Sequence, residues 1–444
     1  MTRLICIAAL CGAAFAQSPS PIALRDARVV TVSGPVIERG AVVLRNGLIE
    51  AVGETVAIPP DAWVMDAKGL TVYPGLIDAL MPAEAPEPAA AAVPTSRSSM
   101  ISRTPSTPST PGQPAAPPPA RGPEDRPATT SWVRAADLFS ATDRRIEEAR
   151  NAGFTSAAVF PTNGIFAGQG AVVNLAGEKR RMIVASPVGQ YVGAASRSFM
   201  SYPGSLMGVI AYIRQVYLDA AHYQVQKQAY ERKVSSVERP DYDRALEGVL
   251  ESPRALLPAR TAVEMDRMAR FAAELKVKAV LYGGEAGYRA APALAQANLP
   301  VLVSLKWPER SRDADPEEVE SMRTLEHRER APGSPAALAK AGVLFAFYTD
   351  GTAARDLARA VRRAADAGLR PADLVRAFTL SPAEIYGVAD RLGSVERGKI
   401  ANLLVTEGDL FGEKTKIRYV FIDGVKFEPP PPEAVPAPST GGAQ

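Results

Sequence analysis

The sequence of 444 residues predicts an α/β protein, a series of parallel β/α units beside a small antiparallel sheet built from both chain ends. Two observations carry this. Between Phe154 and Tyr348, short apolar strand-like runs alternate with helical stretches. Near both ends the texture changes to short β-runs broken by turn residues. With 46% hydrophobic and 22% charged residues, the chain can fill a sizeable core. Its 51 Lys and Arg against 48 Asp and Glu leave a formal charge of +3, too balanced for the phosphate attraction that nucleic-acid binding needs. Only two histidines occur, His222 and His327, which excludes any site built from three or four imidazoles.

Taken in chain order, residues 1–16 have the form of a secretory signal: Arg3, the apolar run Leu4 to Leu10, and small residues around Phe15 ending at Ala16. Cleavage after Ala16 and residence in the periplasm or outside the cell are the expectation. The apolar run is shorter than the roughly 20 residues of a membrane span. Cys6 and Cys11 both lie within the signal, so the mature chain would have no cysteine, and bulky Leu10 argues against lipidation at Cys11.

Residues 22–72 carry β-runs at Ala27–Val32, Ala41–Leu44 and Leu48–Val52, with Asn46-Gly47 marking a hairpin. Residues 388–427 are expected to complete that sheet, through Leu403–Val405, Tyr419–Ile422 and a turn at Asp423-Gly424. From 82 to 130 the composition turns to Pro, Ala, Ser and Thr, which predicts a disordered insert. Strands are then expected at Phe154–Phe160, Met182–Ala185, Ala255–Leu257, Ala279–Tyr282, Val301–Leu305 and Val343–Tyr348. Helices are signalled by the amphipathic stretch Ser205–Lys233, by a capping box at Thr261 and Glu264, by Pro371, and by Ser381-Pro382-Ala383-Glu384. Gly164, Gly168 and Gly170 lack the Lys-Ser/Thr of a phosphate loop and read as turns of a hairpin lip. Residues 428–444, proline-rich at their start, read as a frayed tail.

Four stretches then define a resemblance. Val72-Tyr73-Pro74-Gly75-Leu76-Ile77-Asp78 resembles the first barrel strand of the amidohydrolase superfamily, which ends Pro-Gly-Leu-Ile-Asp-x-His-x-His. Phe347-Tyr348-Thr349-Asp350-Gly351 resembles its eighth strand. Ser381 to Gly387 resembles its Asn-Pro-Ala-x-x-Leu-Gly helix, and Leu392 to Leu403 its Leu-Gly-Ser-Ile-x-x-Gly-Lys-x-Ala-Asp-Leu segment. The similarity is nearest to the imidazolonepropionase-like group. It implies a distorted (β/α)8 TIM-type barrel over residues 73–387, flanked by a composite β-sandwich from 22–72 and 388–427. It also implies a hydrolase of non-peptide C–N bonds, in which one or two divalent metal ions activate water and a carboxylate on strand eight takes its proton.

The family's ligand histidines are missing. Leu80 and Pro82 occupy the His-x-His positions, Pro258 falls at the fifth-strand ligand, and Glu285 lies near the sixth. No bound metal or other cofactor is therefore expected, although active relatives use a divalent ion. Asp350 remains as a candidate base or ligand, its alternative being a turn or N-cap residue; Asp78 reads as structural. Glu285 with Asp350 would suit a hard cation, but two carboxylates are few. Lys306, beside Trp307, is a candidate for a desolvated nucleophile, its alternative being an ion pair with Glu285 or Asp350. Two functions stay open: a hydrolase using Asp350 with Glu285 or Lys306, or an inactive exported binding or scaffold paralogue. Either takes a small molecule in the barrel mouth, and pairing with itself or with an active paralogue is a further expectation.

Overall fold

Asn46 and Gly47 both adopt positive φ, 52° and 78°, and turn the chain from strand Ile37–Arg45 into Leu48–Gly53, as a primed hairpin requires. Asp423 and Gly424 do the same at 51° and 75° between Lys416–Ile422 and Val425–Phe427. These hairpins lie at opposite edges of one sheet. The computed structural model describes residues 20–83, 122–194, 202–233, 236–311, 313–315, 317–412 and 414–430. The proposed signal 1–16 lies outside them, as do 84–121 of the insert and 431–444 of the tail.

The sheet joins the two chain ends at its centre. Strand Leu403–Glu407 runs antiparallel to Leu70–Pro74, with Val405 opposite Val72, and Leu70–Pro74 is parallel to Ile22–Val29. Leu24, Val42, Val72, Leu403 and Phe421 pack into one buried cluster there, and this burial holds distant sequence segments together.

In the barrel, Leu76–Pro82 is parallel to Phe154–Phe160, and Gln190–Val192, Ala255–Ala259, Ala279–Gly283, Val301–Ser304 and Phe345–Tyr348 form a second parallel set. The two sets meet on one side through side chains: buried Asp78 accepts hydrogen bonds from Thr349 N at 3.2 Å and Thr349 Oγ1 at 2.6 Å. Ala158, Leu256, Val280, Leu302 and Ala346 fill the interior.

On the other side the chain itself crosses. Phe166–Gln169 pairs with Gln190–Val192, whereas Ala171–Asn174 pairs with Phe154–Phe160, so Gly170 passes the chain from one set to the other. The expected hairpin lip is therefore a crossing. Only glycine fits, because a Cβ at 170 would lie 2.1 Å from the Phe160 ring.

Helices Leu206–Glu231 and Ala262–Leu275 occur where expected, the second with its complete Thr261/Glu264 capping box. One start differs. The helix bearing Ser381 begins at Leu380, putting Pro382 inside the first turn and Ser381 in the core. The insert also ends earlier than composition suggested: residues 126–130 are held by contacts, with Arg126 paired to Asp219 at 2.6 Å and Asp243 at 3.3 Å. Thr129 Oγ1 adds a 2.6 Å hydrogen bond with Tyr212 Oη. Contacts that a Pro/Ala composition does not advertise decide that boundary.

Candidate functional site at the barrel mouth

The C-terminal ends of parallel strands gather side chains at the mouth. Strands Leu76–Pro82 and Ala255–Ala259 bring no donor at the positions where the resemblance puts ligands: Leu80 is buried among apolar neighbours, and Pro258 offers a pyrrolidine ring. Among the described residues, no group of three or more His, Cys, Asp or Glu is placed to share an ion. The donor set thus does not fit the imidazole-rich transition-metal centre implied by the resemblance. His222 is exposed on helix Leu206–Glu231, and His327 lies beside Tyr288 on Met322–Arg330, away from the strand ends.

What the mouth does gather is a carboxylate cluster around one guanidinium. Asp350 follows strand Phe345–Tyr348 with φ of 50°, a costly conformation for a residue with a Cβ, and sits before helix Ala354–Asp366 rather than capping it. Ser304 Oγ donates to Asp350 Oδ2 at 2.8 Å while accepting from Lys306 N at 3.0 Å, which fixes the serine and aims it. Arg260 approaches the same carboxylate oxygen at 3.8 Å.

Glu285 is 6% exposed. Burial pushes its carboxyl up to about 7, opposed by Arg260 and reinforced by Asp350. Asp78, beneath them, is pushed up to about 6 by burial, against hydrogen bonds from Thr349 and the Leu80 amide. Tyr348, Tyr282 and Tyr191 surround the cluster with phenols driven upward, chiefly by burial. The Tyr191 and Tyr282 rings stack at 5.1 Å, and Tyr282 Oη donates to Val192 O at 3.0 Å. Burial thus favours the protonated form of both Glu285 and Asp78, more so at Glu285.

Two of the three sequence candidates, Asp350 and Glu285, therefore share a site. Lys306 does not join them. Its side chain is exposed, and Trp307 turns its indole N–H to Ala360 O at 2.8 Å. The exposed Lys306 side chain suits neither the desolvated nucleophile weighed for it nor the ion pair set against that reading, and Arg260 is the cation beside Asp350. Sequence reasoning missed Arg260 as a member of this cluster. Its signal is its place between the Pro258 strand end and the Thr261 capping box. A cavity of about 870 Å³ opens beside the mouth, with Tyr191, Pro258, Arg260 and Tyr282 in its wall.

Comparison with known proteins agrees with this architecture. Residues 318–426 match the amidohydrolase family model. An amidohydrolase from Thermotoga maritima is 25% identical, with a TM-score of 0.71 over 92% of this chain and 100% of that one. A second amidohydrolase structure shares the fold at 17% identity and a TM-score of 0.51, over 92% of this chain and 99% of that one. So does a prolidase complexed with N-methylphosphonate-L-proline, at 16% identity and a TM-score of 0.52 over 92% and 100%. No curated protein matches the sequence. Matched segment and shared fold make the chain similar to the amidohydrolase superfamily.

Proposed function

We propose that this amidohydrolase-fold protein binds a small molecule at its barrel mouth and lacks the metal centre of hydrolytic relatives. The observation that carries the reading is the occupancy of the strand ends by Leu80 and Pro258, which have no ligand atom to offer. A bound divalent ion lowers the pKa of water from 15.7 to about 7, and a lone carboxylate has no comparable means of supplying hydroxide. Elemental analysis of the purified chain should find well under one equivalent of zinc, iron or manganese. A panel of amides, imides, cyclic ureas and dipeptides should show no turnover, with or without added metal.

A second reading is favoured by Glu285, whose carboxyl is pushed up to about 7 by burial beside Asp350. It is hydrolysis of a non-peptide C–N bond, with Asp350 as base and Glu285 assisting. Turnover abolished by Asp350→Asn would establish it and defeat the first. Under either reading the chain is exported, a proposal resting on residues 1–16, and N-terminal sequencing should begin at Gln17. Association with itself or an active paralogue is checked by sedimentation, alone and with that paralogue.

A further inference from the structure

The cavity beside the mouth lies between two helix faces with complementary chemistry. Helix Leu206–Glu231 presents Leu206, Met207, Ile210 and Arg214, which recur at the spacing of a single face. Helix Ala262–Leu275 answers with Arg267, Met268, Phe271 and Glu274. Leu206 is 56% exposed and Met207 is 82% exposed, an apolar lip open to water. At about 870 Å³ the space suits one small molecule.

The charges say which kind. Glu274 is taken by Arg214 at 2.6 Å, and Arg270 by Asp266 at 2.9 Å. Glu264 is committed to its capping box, accepting from Arg260 N at 2.8 Å and Thr261 N at 3.1 Å. That leaves two guanidinium groups. Arg267 has no ion-pair partner among the described residues. The Arg260 side chain is 62% exposed, with its nearest carboxylate, Asp350, at 3.8 Å. Asp350, at 3.8 Å, already offsets part of the Arg260 charge, whereas no carboxylate among the described residues pairs with Arg267.

We propose that this cleft binds an apolar monocarboxylate, its headgroup between Arg260 and Arg267 and its hydrocarbon along Met207 and Phe271. The inference rests on the reading of the mouth as a binding site and supplies its ligand class. Guanidinium pairs match carboxylate geometry, and the thioether of methionine adapts to a chain of variable shape.

Calorimetric titration of the full chain with decanoate and, separately, decylamine tests it. Decanoate should bind at one per chain, with decylamine at least tenfold weaker. Arg267→Ala and Met207→Glu, both at exposed positions, should each weaken decanoate about tenfold while leaving Tm unchanged. Equal binding of both probes, no decanoate binding, or decanoate binding indifferent to both substitutions would overturn the proposal. Metal content and amide turnover, measured on the same preparation, separate the two ways of failing. Absence of decanoate binding without metal or turnover sinks the ligand class alone. Stoichiometric metal with turnover sinks the reading beneath it, and the ligand class with it.

Discussion

Asp78 shows how a residue kept from a catalytic motif serves the fold. Its carboxylate receives Thr349 N, Thr349 Oγ1 and Leu80 N, joining the first strand to the turn after Phe345–Tyr348 where no ladder does. Asp78→Ala strands those buried donors and should cost about 3 kcal/mol in urea unfolding, with Asp78→Asn costing less because an acceptor remains. Glu285 makes the other prediction at this scale. Its folded-state value of about 7 lies above the ordinary 4.5, so the folded chain holds this proton more tightly than the unfolded one. The resulting stabilisation is full below pH 4.5 and is lost as pH rises through about 7. Asp78 acts in the same direction between 3.8 and about 6. Glu285→Gln should therefore flatten the stability profile most between pH 4.5 and about 7, and at pH 8 should be more stable than the parent by on the order of 1–3 kcal/mol.

Among elements, the crossing at Gly170 is the most constrained. A methyl there collides with Phe160, itself fully buried, so Gly170→Ala should cost about 2 kcal/mol or more, read as a fall in the thermal midpoint. The crossing also marks where the sequence stops being readable. Strand Phe154–Phe160, the Asn46-Gly47 hairpin and the Thr261 capping box depend on neighbours within a few residues, and all three were legible. Gly170 answers to a ring from another strand, and nothing nearby announces that. The same physics hid Arg260, whose partner Asp350 arrives from a different strand end. It also misplaced Lys306, whose exposure is settled by the docking of Trp307 onto helix Ala354–Asp366. Asp350 and Glu285 were legible because the motif fixes positions along strands, and strand ends converge at the mouth whatever the ligand.

For the whole molecule, the question is whether sheet and barrel unfold as one body, and Asn402 decides it. Its side-chain amide donates to Ser156 Oγ at 2.9 Å and Asn174 Oδ1 at 2.7 Å, both on barrel strands, while its Oδ1 accepts from Asp423 N at 2.8 Å in the sheet hairpin. Its own carbonyl accepts from Gly75 N at 2.9 Å, where the chain leaves the sheet for the first barrel strand. Four bonds thus converge on one buried residue at the junction, where the family motif carries aspartate. An amide suits the place as its neighbours are oriented, because it donates to Asn174 Oδ1, which also accepts from Ser156 Oγ at 3.1 Å, and an ionised carboxylate has no hydrogen to give. Calorimetry of the parent chain should show a single cooperative transition. Asn402→Ala removes two donors and an acceptor from a buried network while the backbone bond to Gly75 survives, and should cost about 2–4 kcal/mol. If the junction is what couples the two bodies, that variant's transition should also broaden or split. A narrow, unshifted transition in Asn402→Ala would place the coupling in the apolar contacts between sheet and barrel instead.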